Sequence, residues 1–126
     1  MRKILIIDDD QNLTKLIQAH LNKLGYTVLL AHTSEDGIKL AKKNKPDLIL
    51  MDVMMPGTDG AESVKLLKAD PIVSDIPVIF LTALISTDGE NEQQEKVLVD
   101  DIYYETIGKP FELNDLIERI NNKLPG

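Results

Sequence analysis

Short apolar, β-branched runs alternate with stretches of helical periodicity along this chain. Lys3 to Ile7 is the first run, and it stops abruptly at Asp8-Asp9-Asp10. Asp10 is placed to cap a helix in which Leu13, Leu16, Ile17, Leu21 and Leu24 recur at helical spacing. Gly25 follows, where a left-handed residue would end it. Thr27 to Leu30 reads as a second strand, and Thr33 to Asp36 resembles a capping box opening a helix through Asn44, which Pro46 breaks. Asp47 to Met51 is nearly all apolar, as expected of a strand buried on both faces. A loop through Pro56-Gly57 and Asp59-Gly60 leads to a helix carrying Ala61, Val64 and Leu67. Val78 to Leu81 forms the fourth strand, ending at Thr82. Ser86 to Val99 is expected to hold a fourth helix, although residues 90–96 are polar throughout. Ile102 to Ile107 is the fifth strand, and Leu113, Leu116, Ile117, Ile120 and Leu124 mark the last helix.

Strands and helices alternating in this way predict parallel βαβ units and a sheet covered on both faces. At 126 residues, the chain reads as one domain, 1–126. The absence of cysteine excludes disulfides and thiolate metal sites, and no apolar run is long enough for a signal peptide or a membrane span, so a cytoplasmic protein is expected. Fourteen basic against 21 acidic residues leave a net charge of −7, which argues against direct nucleic-acid binding.

The polar residues at the strand ends change the picture. Asp8 and Asp9 follow the first strand, Asp52 follows the third, Thr82 ends the fourth and Lys109 follows the fifth. All fall at the carboxyl edge of one sheet, where open α/β sheets bind ligands. If the first and third strands are neighbours, the three carboxylates converge there; like charges so gathered demand a countercharge, and oxygen donors without His or Cys suit Mg²⁺. Lys109 adds a second positive charge. A carboxylate nucleophile, a cation, an ammonium and a hydroxyl around one phosphoryl group are the parts needed for phosphoryl transfer to an aspartate.

The segments Ile-Leu-Ile-Ile-Asp-Asp-Asp (4–10), Leu-Ile-Leu-Met-Asp-Val-Met-Met-Pro-Gly-Thr-Asp-Gly (48–60), Phe-Leu-Thr-Ala (80–83) and Gly-Lys-Pro-Phe (108–111) resemble, in order and spacing, the receiver domains of two-component response regulators. The resemblance implies a flavodoxin-like (βα)5 doubly wound parallel sheet with strand order 2-1-3-4-5. It implies Asp52 as phosphoacceptor, Asp9 binding Mg²⁺ directly, Asp8 acting through a bound water and the Met54 backbone carbonyl completing the metal site. Lys109 and Thr82 would hold phosphate oxygens, and Lys109-Pro110 would be a cis peptide. The implied partners are a sensor histidine kinase or phosphotransfer protein and a possible output domain or effector. The implied chemistry is Mg²⁺-dependent self-modification of Asp52 rather than enzymatic turnover. Met54 and Leu84, two residues past Asp52 and Thr82, would flank the water that hydrolyses the aspartyl phosphate; both are apolar, so slow self-dephosphorylation is expected.

The chain departs from the family pattern in two respects: Thr106 stands where an aromatic switch residue is usual, and the segment from Thr82 to Lys109 is longer. With Thr106 too small for that role, coupling to the output surface is expected to run through residues 87–99. His20 and His32 read as ordinary residues rather than phosphorelay histidines, and Asp36 and Asp59 as cap and turn residues. A haloacid-dehalogenase-type phosphatase would require an acid at position 54, which is Met, and usually a cap domain. A binding module that never uses phosphate would not need all five key positions, and here all five are present.

Overall fold

The computed structural model describes residues 2–52, 54–55, 58–82, 96–99, 102–108 and 111–124. In chain order the elements are β1 (Lys3–Ile7), α1 (Gln11–Lys23), β2 (Thr27–Ala31), α2 (Ser34–Asn44), β3 (Leu48–Asp52), β4 (Met54–Met55), β5 (Thr58–Asp59), α3 (Gly60–Ala69), β6 (Val78–Thr82), β7 (Lys96–Val99), β8 (Ile102–Gly108) and α4 (Leu113–Lys123).

The local signals in the sequence set the helix ends. The Asp10 carboxylate accepts the Leu13 N–H at 3.0 Å, and the Thr33 hydroxyl accepts the Asp36 N–H at 3.1 Å, each satisfying a donor that a helix start leaves open. Beyond α1, Gly25 adopts φ +96, so that its N–H reaches Asn22 O and the Tyr26 N–H reaches Leu21 O. This is a Schellman closure, and Tyr26 and Leu21 belong to the same apolar cluster. The α2 helix ends on Lys45 in a left-handed conformation, just before Pro46.

Five strands are parallel, in the spatial order β2-β1-β3-β6-β8, the 2-1-3-4-5 order of a flavodoxin-like sheet. The period of two along each strand sorts the core into two layers. Leu5, Ile7, Ile49, Met51, Val78 and Phe80 lie on one side with Ala41 of α2 and Leu67 of α3. Ile4, Ile6, Leu48, Leu50, Ile79 and Leu81 lie on the other with Ile17 and Leu21 of α1 and Leu116 and Ile120 of α4. Every residue of β3 is buried, as its unbroken apolar run requires. Ion pairs fasten α4 to β8: Glu105 receives Arg119 at 3.2 Å and Lys123 at 3.3 Å, and Arg119 also donates to the Thr106 carbonyl.

Side chains organise the link from α3 to β6 as well. Lys68 Nζ donates to the carbonyls of Ser74 at 2.9 Å and Ile76 at 2.7 Å. Burial pulls its ammonium below the usual lysine range, with Asp75 opposing the shift. Asp70 accepts the Ile72 N–H at 2.9 Å and faces Lys42 at 3.2 Å, and those two contacts, in that order, hold its carboxyl below the usual range.

Two expectations are corrected here. Lys96–Val99 is not the end of a helix but a strand antiparallel to β8, pairing Val97 with Tyr104 and Leu98 with Tyr103. Both partners are rich in β-branched or aromatic residues, which suit a paired edge better than an amphipathic helix. The rest of the expected fourth helix, residues 86–95, lies outside the described residues, as does most of the segment expected to carry coupling. The stretch after Asp52, expected as a loop, contains a short antiparallel pair, with Met54 opposite Asp59 and Met55 opposite Thr58.

Candidate functional site

The strand order reverses at β1 and β3: β1 leads outward to β2 on one side, while β3 leads to β6 on the other. Side chains beyond the carboxyl ends of these two strands therefore share a crevice. The register aligns Ile7 with Met51, so Asp8 and Asp52, each one residue further on, come level. Asp8, Asp9 and Asp52 each offer a carboxylate oxygen within 4.8 Å of the others. Asp8 and Asp52 are buried, at 0% and 4% exposure, and Asp9 is exposed.

Backbone contacts fix Asp8 closely. Its N–H donates to Ala31 O at 3.0 Å, and its Oδ1 accepts the Asp10 N–H at 2.9 Å. Asp10 is also the cap of α1, so one turn both starts the helix and orients the acidic pair. Its expected role as a cap is what the structure shows.

A group of three carboxylates, two of them buried, favours a positive charge nearby. Its all-oxygen donor set fits a hard divalent cation of the Mg²⁺ kind, and a spread of 4.8 Å suits an ion that some of these groups reach through water. Thr82 closes β6 opposite Gly108 of β8, at the same edge of the sheet. Lys109 directly follows Gly108 but, like Pro110 and Leu84, lies outside the described residues. Met54 lies in β4, two residues beyond Asp52.

Thr106, at the position expected to differ, is a buried residue of β8 level with Phe80. His20 is exposed on α1. His32 is different: its Nδ1 lies 3.0 Å from the Asp8 carbonyl oxygen. Its residue type does not single it out in the sequence; its place one residue past the second strand, beside the strand carrying the acidic pair, does.

A doubly wound sheet with an acidic, cation-fitting pocket at its switch point defines a class of phosphoryl-handling and metal-binding α/β domains. Comparison with known proteins makes this specific. The sequence profile of the response regulator receiver domain matches residues 4–121, and the chain belongs to that family. It is 38% identical over 119 residues to the phosphate regulon transcriptional regulatory protein PhoB of Pseudomonas aeruginosa, covering 94% of this chain and 50% of that protein. The chain thus spans about half of PhoB. It is 35% identical to protein PilH of the same organism over the full length of both. Among solved structures, the receiver domain of the sensor histidine kinase PA1611 from Pseudomonas aeruginosa, with a magnesium ion coordinated in its active-site cleft, superposes with a TM-score of 0.79 at 26% identity, covering 99% of this chain and 98% of that one. Receiver domains are signalling domains of two-component systems, engaged by histidine kinases or phosphotransfer proteins, and they bind Mg²⁺ in an acidic pocket. Among the described residues no helix is long and apolar enough to cross a membrane.

Proposed function

We propose that residues 1–126 form one cytoplasmic receiver domain in which Asp52 accepts a phosphoryl group from a histidine kinase, a phosphotransfer protein or a small phosphodonor. The observation that carries this reading is the convergence of Asp8, Asp9 and Asp52 at the switch point. Asp52 is the member that ends a buried central strand, so its carboxylate is held on a rigid element at the edge of the sheet. A positioned nucleophile of this kind supplies much of the acceleration in phosphoryl transfer.

Asp9 would hold Mg²⁺ directly, Asp8 would act through a bound water, and the Met54 carbonyl would supply a further oxygen. When bound, the cation would neutralise charge on the acids and on the phosphoryl oxygens. An oxygen of the Asp52 carboxylate attacks phosphorus in line with the leaving group, forming the P–O bond of an aspartyl phosphate. The P–N bond of a phosphohistidine, or the P–O bond of acetyl phosphate, breaks, and its electron pair leaves with imidazole or acetate. Lys109 holds one phosphoryl oxygen, and the Thr82 hydroxyl donates to another. The modified domain then presents a changed surface to an output domain or effector.

Asp52→Asn tests the assignment. Incubation with acetyl phosphate and Mg²⁺ adds one phosphoryl group to the parent by intact mass and none to the variant. Undiminished labelling of the folded variant refutes the role of Asp52.

A further inference from the structure

The acidic pair is held from a side that the phosphoacceptor reading does not use. Asp8 sits just past the end of β1, where the ladder with β2 runs out: the last paired residues are Ile7 and Ala31. Its N–H extends the ladder by one bond to Ala31 O. Its carbonyl oxygen then meets the side chain of the next residue on the β2 side, His32, at 3.0 Å. A carbonyl oxygen can only accept, so His32 Nδ1 carries the proton and donates. With the Asp10 N–H on its Oδ1, Asp8 is tied at amide, carbonyl and carboxylate. The peptide unit tied by His32 is the one that joins Asp8 to Asp9, so its tilt sets where the exposed Asp9 carboxylate points.

We infer that His32 is a positioning residue for the cation site: its Nδ1–H holds the Asp8–Asp9 peptide in the orientation that lets both carboxylates serve one ion. The inference rests on the proposed role of the acidic cluster in binding Mg²⁺. Such outer hydrogen bonds matter because an ion that demands near-ideal octahedral geometry tolerates little drift in its ligands.

The test is Mg²⁺ affinity by isothermal titration calorimetry on the whole chain, with metal-free melting temperature measured alongside. His32→Phe keeps a planar ring and deletes the donor, and its Mg²⁺ affinity falls by about tenfold. His32→Asn places an amide N–H close to the position of Nδ1 and keeps affinity within about threefold of the parent. His32→Gln carries its N–H one methylene too far and behaves as the Phe variant does, which gives a second comparison if the Phe variant does not fold. Loss of a structural residue alone would lower melting temperature in all three without separating Asn from the other two. Parent-like affinity in the Phe or Gln variant, or equal loss in the Asn variant, overturns the inference. Asp9→Asn and Asp52→Asn are run in parallel. If both bind Mg²⁺ as the parent does, the acidic-cluster reading itself fails and the role of His32 falls with it. If they lose affinity while His32→Phe does not, only the positioning role is refuted.

Discussion

Helix α2 lies so close to β1 at one point that a single methyl group should register. Gly37 is buried in α2, and its φ is not in the left-handed region, so its backbone would accept any L-residue. Helix propensity alone then predicts that Gly37→Ala stabilises the protein by about 1 kcal/mol. The packing predicts the opposite. A Cβ built at position 37 meets the Ile7 side chain, 2.6 Å from Cγ1 and 3.2 Å from Cγ2. Ile7 is fully buried among the apolar residues under α2, so it has little room to turn aside. Inserting a methyl group into a filled core costs roughly 1–3 kcal/mol. Offset by the propensity gain, the net effect is a loss of up to about 2 kcal/mol, or a drop in melting temperature of up to about 8 °C for a domain of this size. Urea unfolding followed by far-ultraviolet circular dichroism measures it. Ile7→Val deletes the outermost methyl and by itself costs about 0.5–1.5 kcal/mol. In the double variant the two losses should overlap, leaving it about 1 kcal/mol more stable than their sum. A Gly37→Ala variant as stable as the parent, with additive behaviour in the double variant, would refute the close approach.

Asp52→Asn should leave the metal-free protein as stable as the parent or more so, because one of three converging negative charges is removed; a clear fall in its melting temperature at neutral pH would count against that repulsion. Mg²⁺ at ten times its dissociation constant should stabilise the parent by about 1.4 kcal/mol, read as a rise in melting temperature that the Asn variant largely lacks. The carboxyl of Asp70 is held below its ordinary 3.8 by the Ile72 N–H and by Lys42, so it favours the folded state above that pH and loses the effect as pH falls through the lower folded value. The gap in melting temperature between the parent and Asp70→Asn should therefore be constant above about pH 5 and shrink in more acid solution; a gap unchanged down to strong acid would contradict this. Replacing Met54 with Asn and Leu84 with Glu should shorten the phosphorylated lifetime with little change in Mg²⁺ affinity, since hydrogen-bonding side chains can orient the attacking water; an equal or longer lifetime would show that these side chains do not govern water access.

What the amino-acid sequence determined by itself is what short-range physics decides. The caps at Asp10 and Thr33 and the stop at Gly25 each depend on groups three to five residues apart, so the residue types alone announce them. The unbroken apolar run of β3 requires cover on both faces, and alternation of strands and helices requires a parallel sheet. Those two requirements put Asp8, Asp9 and Asp52 at one edge of the sheet, and the pairing of β1 with β3 brings them together there. Tertiary structure decided the rest. Lys96–Val99 carries too little periodicity to choose between helix and strand, and pairing with β8, which begins after only two intervening residues, makes the choice. Other deciding partners are far away in sequence. The donation from His32 to Asp8 spans 24 residues, and the contact of Gly37 with Ile7 exists only because α2 packs down on β1. Neither residue type is unusual at its position. Each acquires its meaning from a neighbour that the sheet order brings to it.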